Sequence, residues 1–202
     1  MKPLFVISCP FDTYSGYGAR SRDLVKAIIQ TDKYEVKLLP QRWGNTPWGF
    51  CKDNPEWGFL YNHTMNMQQQ NPQPDVWMQI TVPNEFQPIG KVNIGVTVGI
   101  ETTVCALNWI EGCNRMDMII TPSEHAKMSL VGTIYNEADR NTNQIIRQYK
   151  VEKPVEVLFE GFDEEFFNTE QIVPFNGIDD VKEDFAFLFV GHWLRGDLGE
   201  DR

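Results

Sequence analysis

The chain has 202 residues, of which 42% are hydrophobic and 23% are charged, and its formal net charge is −10 at pH 7. This hydrophobic content is sufficient for a packed core and argues against a disordered chain. The acidic balance and the lack of any Lys- and Arg-rich run argue against a protein that holds a nucleic-acid backbone tightly.

Apolar runs and cysteine spacing bear on where the protein works. No apolar run reaches the ~18–20 residues needed to cross a bilayer, so we expect no membrane span. The opening residues 1–10 are too short for the core of a signal peptide and predict a buried strand. We expect reduced thiols, a cytoplasmic location and no bound metal, because the cysteines show neither CxxC pairing nor a histidine at metal-binding spacing: Cys9, Cys51, Cys105 and Cys113.

A strand, a glycine-containing loop, a helix and a second strand follow one another at the start of the chain. Residues 2–9 predict the first strand and residues 10–18 a turn-rich loop, with an amphipathic helix and a strand at residues 34–39 after it. Residues 40–74 lose this periodicity and predict a loop-rich segment with one short helix near residues 56–61. Its tryptophans either stack on a sugar or base or pin the segment to the core, and pinning is favoured: Trp43, Trp48 and Trp57.

Strands and helices keep alternating in the second half. Four further strands are predicted, at residues 75–80, 91–98, 116–121 and 154–159. Helices are predicted at residues 102–113, from the N-cap Ser123 through Val131, and in the second half of residues 136–149. This alternation predicts an α/β fold with a Rossmann-like parallel sheet flanked by helices.

The end of the chain has the pattern of a second domain at its beginning. Residues 169–184 contain Pro174, Gly177 and several acids, which is typical of a linker. The uninterrupted apolar run at residues 185–191 predicts a strand that is covered on both faces. We therefore expect a Rossmann-like domain at residues 1–168, a linker at 169–184, and the first strand and loop of an incomplete domain at 185–202.

The loop after the first strand offers candidate ligands for an anion. Gly16 and Gly18 let a substrate approach the backbone, and a helix N-terminus offers free N–H groups. Arg20 and Arg22 fall in the predicted first helical turn, where cations oppose the helix dipole, and this favours a phosphate or carboxylate partner. The alternative is a plain tight turn before a helix. An NAD site is not expected, because Ser21 stands where the dinucleotide fingerprint has its third glycine.

Two further loops follow predicted strands and precede predicted helices. Glu101, in the first of them, is expected at the carboxyl edge of the sheet, where open α/β folds bind ligands. It is a candidate for orienting sugar hydroxyls or transferring protons, and the alternative is a first-turn acid that complements the helix dipole. In the second loop Ser123 is expected to be an N-cap, and His125 is read as a solvent-facing helical residue rather than a catalytic one.

Five motifs in register resemble the GT-B glycosyltransferases of the family 4 type. They are, in chain order, residues 15–20 (SGYGAR), 99–103 (GIETT) with Trp109 and 114–117 (NRMD), 120–123 (ITPS), 154–163 (PVEVLFEGFD) and 187–191 (FLFVG). Residues 41–49 are similar to a subgroup found in large tailed phages, which implies a location in the host cytoplasm. The resemblance covers essentially the whole chain.

The resemblance implies two Rossmann-like domains facing each other across a cleft, with the acceptor on the N-terminal domain and the nucleotide sugar on the C-terminal one. Such enzymes use the nucleotide sugar as co-substrate, are typically metal-independent and retain the anomeric configuration. Glu101 would lie beside the transferred sugar as the catalytic candidate. The other implied substrate- or donor-binding residues are Gly16, Tyr17, Gly18, Arg20, Thr102, Ser123, Glu160, Gly161, Asp163, Arg195 and Arg202. The last two would stabilise the charge of the leaving diphosphate.

The resemblance places the family's Glu-x7-Glu region, which holds the donor sugar and ribose, beyond residue 202. We therefore expect negligible transferase activity from this chain alone, and sugar-nucleotide turnover by the purified chain would contradict that expectation. The acceptor stays open between a saccharide, a modified DNA base and a protein, with DNA disfavoured by the acidic charge. The alternative function is a non-catalytic binding or scaffold module that self-associates through residues 185–190.

Overall fold

The computed structural model describes residues 2–66, 72–165, 167–168 and 181–187. The chain divides into two compact units, Met1–Glu160 and Gly161–Arg202, and every helix and strand named below belongs to the first. Of the strand predicted at residues 185–191, residues 185–187 are described and are not in a strand, while the rest lies outside the described residues. The predicted domain boundaries at 168 and 184 stay predictions.

The first unit alternates strands and helices along the chain. Its strands are β1 (Leu4–Cys9), β2 (Glu35–Pro40), β3 (Val76–Ile80), β4 (Val92–Val96), β5 (Met118–Thr121), β6 (Tyr135–Ala138), β7 (Ile145–Tyr149) and β8 (Val155–Val157). Its helices are α1 (Gly16–Gln30), α2 (Phe50–Asp53), α3 (Leu107–Asn114), α4 (Glu124–Gly132) and two 3-10 helices, Pro55–His63 and Pro83–Glu85. The short helix expected near residues 56–61 is thus confirmed. None of the helices in the described part of the chain has the length and apolarity needed to cross a bilayer.

Six of the strands form one sheet in the order β2-β1-β3-β4-β5-β8, and every neighbouring pair in it is parallel. In its register Ile7 of β1 lies opposite Leu38 on one side and Met78 on the other. This helix-flanked sheet confirms the predicted Rossmann-like α/β class. Because all six strands run the same way, their carboxyl ends meet at one edge, called the carboxyl edge below.

The sheet is buried on both faces, which explains the continuous apolar sequence of β1. Ile7 faces one core, where it joins Leu24 of α1 and Leu60 of the longer 3-10 helix. Val6 faces the other core, which contains Ile110 of α3. Each fully buried aliphatic side chain contributes about 1.5–3 kcal/mol relative to an exposed one, so these two cores are the main source of stability.

Two helices begin at side-chain caps on the carboxyl edge. The Ser15 hydroxyl accepts a hydrogen bond from the amide of Gly18 at 2.9 Å, and the Ser123 hydroxyl accepts one from the amide of Ala126 at 3.1 Å. Each cap satisfies an N–H group that the first helical turn leaves without a partner. The N-cap predicted at Ser123 is therefore confirmed.

The helix predicted at residues 102–113 is wrong in its first half. α3 covers Leu107–Asn114, and residues 97–106 form an irregular loop. The Thr102 hydroxyl donates to the carbonyl oxygen of Val104 at 2.6 Å, and a hydroxyl from α4 donates to the Thr102 carbonyl oxygen. These bonds replace helical ones, and three consecutive β-branched residues at 102–104 lower the helix propensity of the segment.

The helix predicted in the second half of residues 136–149 is also wrong, because the segment is the antiparallel hairpin of β6 and β7. Asp139 stabilises its turn, since the carboxylate accepts hydrogen bonds from the amides of Asn141 and Thr142 at 2.9 and 2.8 Å. Asn143 is in the left-handed region with a φ of 57°. Asp and Asn favour such turns, and this local chemistry outweighs the polar, helix-like pattern of the segment.

The loop-rich segment at residues 40–74 packs against α1. Trp57 borders the core that contains Leu24, and its ring lies beneath Lys26, whose Nζ is 5.4 Å from the ring centroid. Trp57 therefore has the pinning role expected of it. Trp48 is more exposed and pairs with Thr13 in an isolated antiparallel bridge, which draws the segment over the loop after β1.

The four cysteines are free and buried, and their reduced state stays a prediction. Burial is the main cause that raises the pKa of Cys9, Cys51 and Cys113 to about 12, and burial also raises the pKa of Cys105. A thiol with a pKa near 12 is ionised at pH 8 roughly a thousandfold less often than a free cysteine.

We therefore expect these three thiols to react with a maleimide about a thousandfold more slowly in the native chain at pH 8 than after denaturation. The reason is that the thiolate is the reacting species and burial suppresses it. Time-resolved thiol titration with and without guanidinium measures the difference. A native chain in which Cys9, Cys51 or Cys113 reacts at the rate of free cysteine would contradict this placement.

Candidate functional site

Several loops converge at the carboxyl edge of the sheet. Residues 10–15 follow β1, residues 97–106 follow β4, and residues 158–160 follow β8. The chain passes from β2 across β1 to β3, so the connections on the two sides of the β1–β3 pair run in opposite directions. In open α/β sheets, ligands bind in the crevice at such a switch point, beyond the carboxyl ends of the strands.

Tyr17, in the first turn of α1, joins three of the segments at this edge. Its ring stacks on that of Trp43 from the loop-rich segment, with centroids 3.9 Å apart and planes inclined by 23°. Its hydroxyl accepts a hydrogen bond from the amide of Val98 at 3.1 Å and lies 3.2 Å from the hydroxyl oxygen of Thr97. Tyr17 therefore ties α1 and the loop-rich segment to the loop that follows β4.

The surroundings of Tyr17 are apolar and acidic. Burial raises the pKa of Tyr17, and the carboxylates of Glu101 and Glu85 raise it further, while the hydrogen bonds to its hydroxyl lower it. Glu101 is exposed to solvent. An aromatic pair thus lies at the carboxyl edge within electrostatic reach of two carboxylates, of which that of Glu101 is exposed to solvent.

Glu101 belongs to residues 98–105, called the 98–105 loop below, and this loop is held at both ends. At its start the amide of Val98 donates to the Tyr17 hydroxyl. At its end the amide of Cys105 donates to the hydroxyl of Thr133 at 3.1 Å. Between these anchors Gly99 and residues 101–104 are exposed. The arrangement presents Glu101 on a short span with fixed ends.

The two glycines next to Tyr17 have different roles. Gly18 is buried, and a Cβ placed there would lie 2.4 Å from the carbonyl oxygen of Thr13 and 2.8 Å from its hydroxyl oxygen. Gly16 is exposed, and nothing lies within 4 Å of a Cβ placed on it. Gly18 is therefore required for packing α1 against the loop after β1, whereas packing does not require Gly16.

Arg20 is bound within the protein. Because α1 begins at Gly16, Arg20 lies in the second turn, and the first-turn placement predicted for it is wrong. Its buried guanidinium donates to the carbonyl oxygens of Leu158 at 2.6 Å and Phe159 at 3.3 Å, and its Nε lies 3.8 Å from a carboxylate oxygen of Glu160. Arg20 thus holds the chain that leaves β8, which is a different role from the phosphate ligand that the resemblance implies.

Arg22 is also outside the first turn and also has internal partners. It donates to the carbonyl oxygens of Phe11 at 2.8 Å and Thr13 at 3.0 Å, and its guanidinium carbon lies 3.4 Å from the ring centroid of Phe50. Burial lowers the pKa of Arg22. These contacts give Arg22 a structural role, so the anion partner that its sequence position suggests is a wrong expectation.

The remaining predicted site residues are only partly gathered at this edge. Thr102 lies in the 98–105 loop and Ser123 caps α4, both beyond strand ends. Gly161 and Asp163 belong to the second unit, and Arg195 and Arg202 lie outside the described residues. Among the described residues, no three His, Cys, Asp or Glu side chains are grouped so that they can hold a metal ion.

Sequence reasoning missed three hydroxyls that shape this edge, those of Thr97, Ser129 and Tyr135. Their partners Tyr17, Thr102 and Cys105 lie 80, 27 and 30 positions away along the chain. A local motif carries no signal for pairs so distant in sequence. The one signal that the sequence contains is the residue type, because Ser, Thr and Tyr hydroxyls can form hydrogen bonds with other parts of the chain.

A recess of about 480 Å³ lies at the opposite edge of the sheet, near the start of β1 and β2. Its lysines are each paired with a carboxylate: Lys2 with Asp32, Lys37 with Glu35, and Lys91 with Asp75. These pairs leave little surplus positive charge for an anion. Its wall also includes residues on both sides of 67–71, which lie outside the described residues.

The carboxyl edge is therefore the candidate site, because a switch point, an aromatic pair and an exposed carboxylate coincide there. The chain was compared with models of protein families, with curated proteins and with solved structures, and none of them matches it.

Proposed function

We propose that the carboxyl edge of the first unit is one wall of a sugar-binding crevice, and that this chain is the acceptor-side part of a nucleotide-sugar-dependent glycosyltransferase. The single observation that carries the proposal is the contact set of Tyr17. This residue stacks on Trp43 and bonds the start of the loop that presents Glu101. An aromatic ring and a carboxylate on two connected segments suit a sugar, because the ring can contact its apolar C–H face and the carboxylate can accept hydrogen bonds from its hydroxyls.

The charges at this edge favour an uncharged saccharide over a phosphorylated ligand. Arg20 and Arg22 both bond backbone carbonyl oxygens of this chain. Glu101 and Glu85 place negative charge beside Tyr17. A diphosphate at this position would meet like charge, whereas a sugar hydroxyl would donate to a carboxylate in a charge-assisted hydrogen bond. The donor phosphates therefore belong elsewhere in the proposed enzyme.

Glu101 has the central role in this proposal. Its exposed carboxylate lies beyond the carboxyl end of β4, on a loop anchored at both ends. It would accept hydrogen bonds from the hydroxyls of the bound sugar and so orient the acceptor for transfer. A retaining, metal-independent reaction with a nucleotide sugar is the reaction type implied by the resemblance, and it forms part of the proposal.

The test is saccharide binding by the 202-residue chain, screened on an array of neutral oligosaccharides and quantified by calorimetry on the best ligand. We expect Glu101→Gln to weaken that binding about tenfold or more, since a hydrogen bond to a charged group contributes about 1.5–3 kcal/mol. Glu111→Gln is the matched control, because Glu111 is an exposed glutamate on α3. No binding to any neutral saccharide, or equal losses from the two variants, would contradict the proposal.

A second candidate function is favoured by two phenylalanines of the second unit. Phe185 and Phe187 are 73% and 92% exposed, and their rings contact each other edge to face with centroids 5.1 Å apart. Large apolar side chains that face solvent are typical of an interaction surface. The candidate is a scaffold module that self-associates through residues 185–190. Mass measurement in solution tests it: a dimer that Phe187→Ser converts to a monomer supports the module, and a monomeric native chain contradicts it.

A further inference from the structure

The second half of the 98–105 loop is held by residues 129–135, which run from the end of α4 to the start of β6. The Ser129 hydroxyl donates to the carbonyl oxygen of Thr102 at 2.9 Å, and the Tyr135 hydroxyl donates to the carbonyl oxygen of Cys105 at 2.8 Å. The amide of Cys105 donates in turn to the Thr133 hydroxyl. Three hydroxyls from one short stretch of chain thus bond the backbone of this loop.

Two of these hydroxyls belong to deeply buried residues. Ser129 and Thr133 are each 3% exposed. The Thr133 hydroxyl accepts from the Cys105 amide and donates to the Ser129 carbonyl oxygen at 2.6 Å. Water has little access to replace these partners, so losing one leaves a buried polar group unsatisfied. The anchor is therefore more than an incidental surface contact.

The exposed part of the loop is supported on both sides of Glu101, because Ile100 packs against the core that contains Ile110 and the Thr102 carbonyl oxygen accepts the hydrogen bond from Ser129. Glu101 and its neighbours up to Val104 face solvent, and the Thr102 hydroxyl bonds within the loop to the Val104 carbonyl oxygen. The position of Glu101 is therefore set by the contacts on its two sides along the loop. Tyr17 holds the first end and the Ser129–Tyr135 region holds the second.

We infer that Ser129 and Tyr135 are positioning residues of the candidate site, which fix the far end of the 98–105 loop and thereby the location of Glu101. The relevance of these two residues to sugar transfer rests on the proposed function, whereas their effect on the position of the loop does not. Neither residue belongs to the 98–105 loop, and each acts on Glu101 through the backbone of the loop.

The test uses Ser129→Ala and Tyr135→Phe in the 202-residue chain. Tyr135→Phe removes only a hydroxyl from a side chain that is 38% exposed, so the fold is retained even where Ser129→Ala lowers stability. Tyr149→Phe is the matched control, since the Tyr149 hydroxyl donates to Glu137 within the same hairpin and does not bond the loop. We expect the amide of Cys105 to exchange with solvent about fivefold faster in Tyr135→Phe, and in Ser129→Ala, than in the control.

A second readout follows Glu101 directly. A nitroxide attached at Glu101→Cys is selective, because the four native thiols are buried. We expect the electron paramagnetic resonance spectrum of this label to show greater mobility when Tyr135→Phe or Ser129→Ala is added, and no change with Tyr149→Phe. Mobility that rises while the melting temperature of Tyr135→Phe stays at the wild-type value supports positioning over a general loss of stability.

The outcomes separate the inference from the proposed function. If both variants match Tyr149→Phe in Cys105 exchange and in label mobility, the positioning inference is overturned whatever the chain binds. If the loop loosens as expected and the native chain binds no saccharide, the positioning of the loop stands and the sugar-binding proposal fails.

Discussion

Gly18→Ala is expected to destabilise the first unit by about 3 kcal/mol, which is a large part of the total stability of a typical domain. The new methyl group would lie 2.4 Å from the carbonyl oxygen of Thr13, well inside van der Waals contact. That oxygen belongs to the backbone of a buried loop, so relief requires α1 to shift against the sheet. The fall in Tm on thermal unfolding, followed by circular dichroism, should be roughly 6–12 °C.

Gly16→Ala is the matched control for that substitution. It lies in the same helix two positions earlier, it is exposed, and nothing would contact its methyl group within 4 Å. Alanine is the better helix former by about 1 kcal/mol in a helix interior, so this variant should be neutral or slightly stabilising. Equal losses from the two variants would mean that the close approach of Gly18 to Thr13 is not a feature of the folded protein.

Arg22→Met is expected to cost about 3 kcal/mol of folding free energy, which denaturant unfolding with an unchanged m-value would show. The substitution removes the guanidinium donor from the carbonyl oxygens of Phe11 and Thr13, residues that are only 1% and 0% exposed, and the Phe11 oxygen keeps only the weak thiol donor of Cys51. Each unsatisfied buried group costs about 1–3 kcal/mol. Removing the buried charge also removes its desolvation cost, and a methionine side chain can still pack on Phe50. The expected loss of folding free energy is therefore smaller than the summed cost of leaving both carbonyl oxygens without the guanidinium donor.

Arg20→Met provides the comparison for Arg22. Its guanidinium bonds carbonyl oxygens of Leu158 and Phe159, residues that are 45% and 68% exposed. Water can replace the donor there, so we expect a cost of about 1 kcal/mol. If Arg20→Met proves as costly as Arg22→Met, the carbonyl oxygens after β8 are less accessible than their exposure indicates. Unchanged stability in Arg22→Met would instead return Arg22 to the list of ligand-binding candidates.

These four variants also bear on how the site is built. Gly18 and Arg22 both act on the loop after β1, one by leaving room for its backbone and the other by bonding its carbonyl oxygens. Tyr17 extends from the same helix to the loop after β4. The SGYGAR segment is therefore a structural junction at the carboxyl edge, and the exposed carboxylate of the candidate site, Glu101, comes from a different loop.

The sheet and most of its helices could be predicted from the sequence because buried strands and amphipathic helices have recognisable local patterns of apolar residues. The apolar run of β1 and the other strand segments predicted parallel strands, since a strand covered on both faces has apolar residues throughout. Ser123 was recognisable as an N-cap because a cap bonds an amide three residues away. The failures lie where helix-like polarity competed with turn chemistry, as at Asp139 in the β6–β7 hairpin.

What the sequence determined by itself is the α/β class, the strands of the six-stranded sheet and the loops that carry Tyr17 and Glu101 to one edge, because parallel strands bring their carboxyl ends together. Only the tertiary structure decided what the charged and hydroxyl side chains do there. Arg20 finds its partners 138 and 139 positions away, and Ser129 finds its partner 27 positions away. A hydrogen bond depends on which groups the packed chain brings within about 3 Å, and no local pattern of residues specifies that.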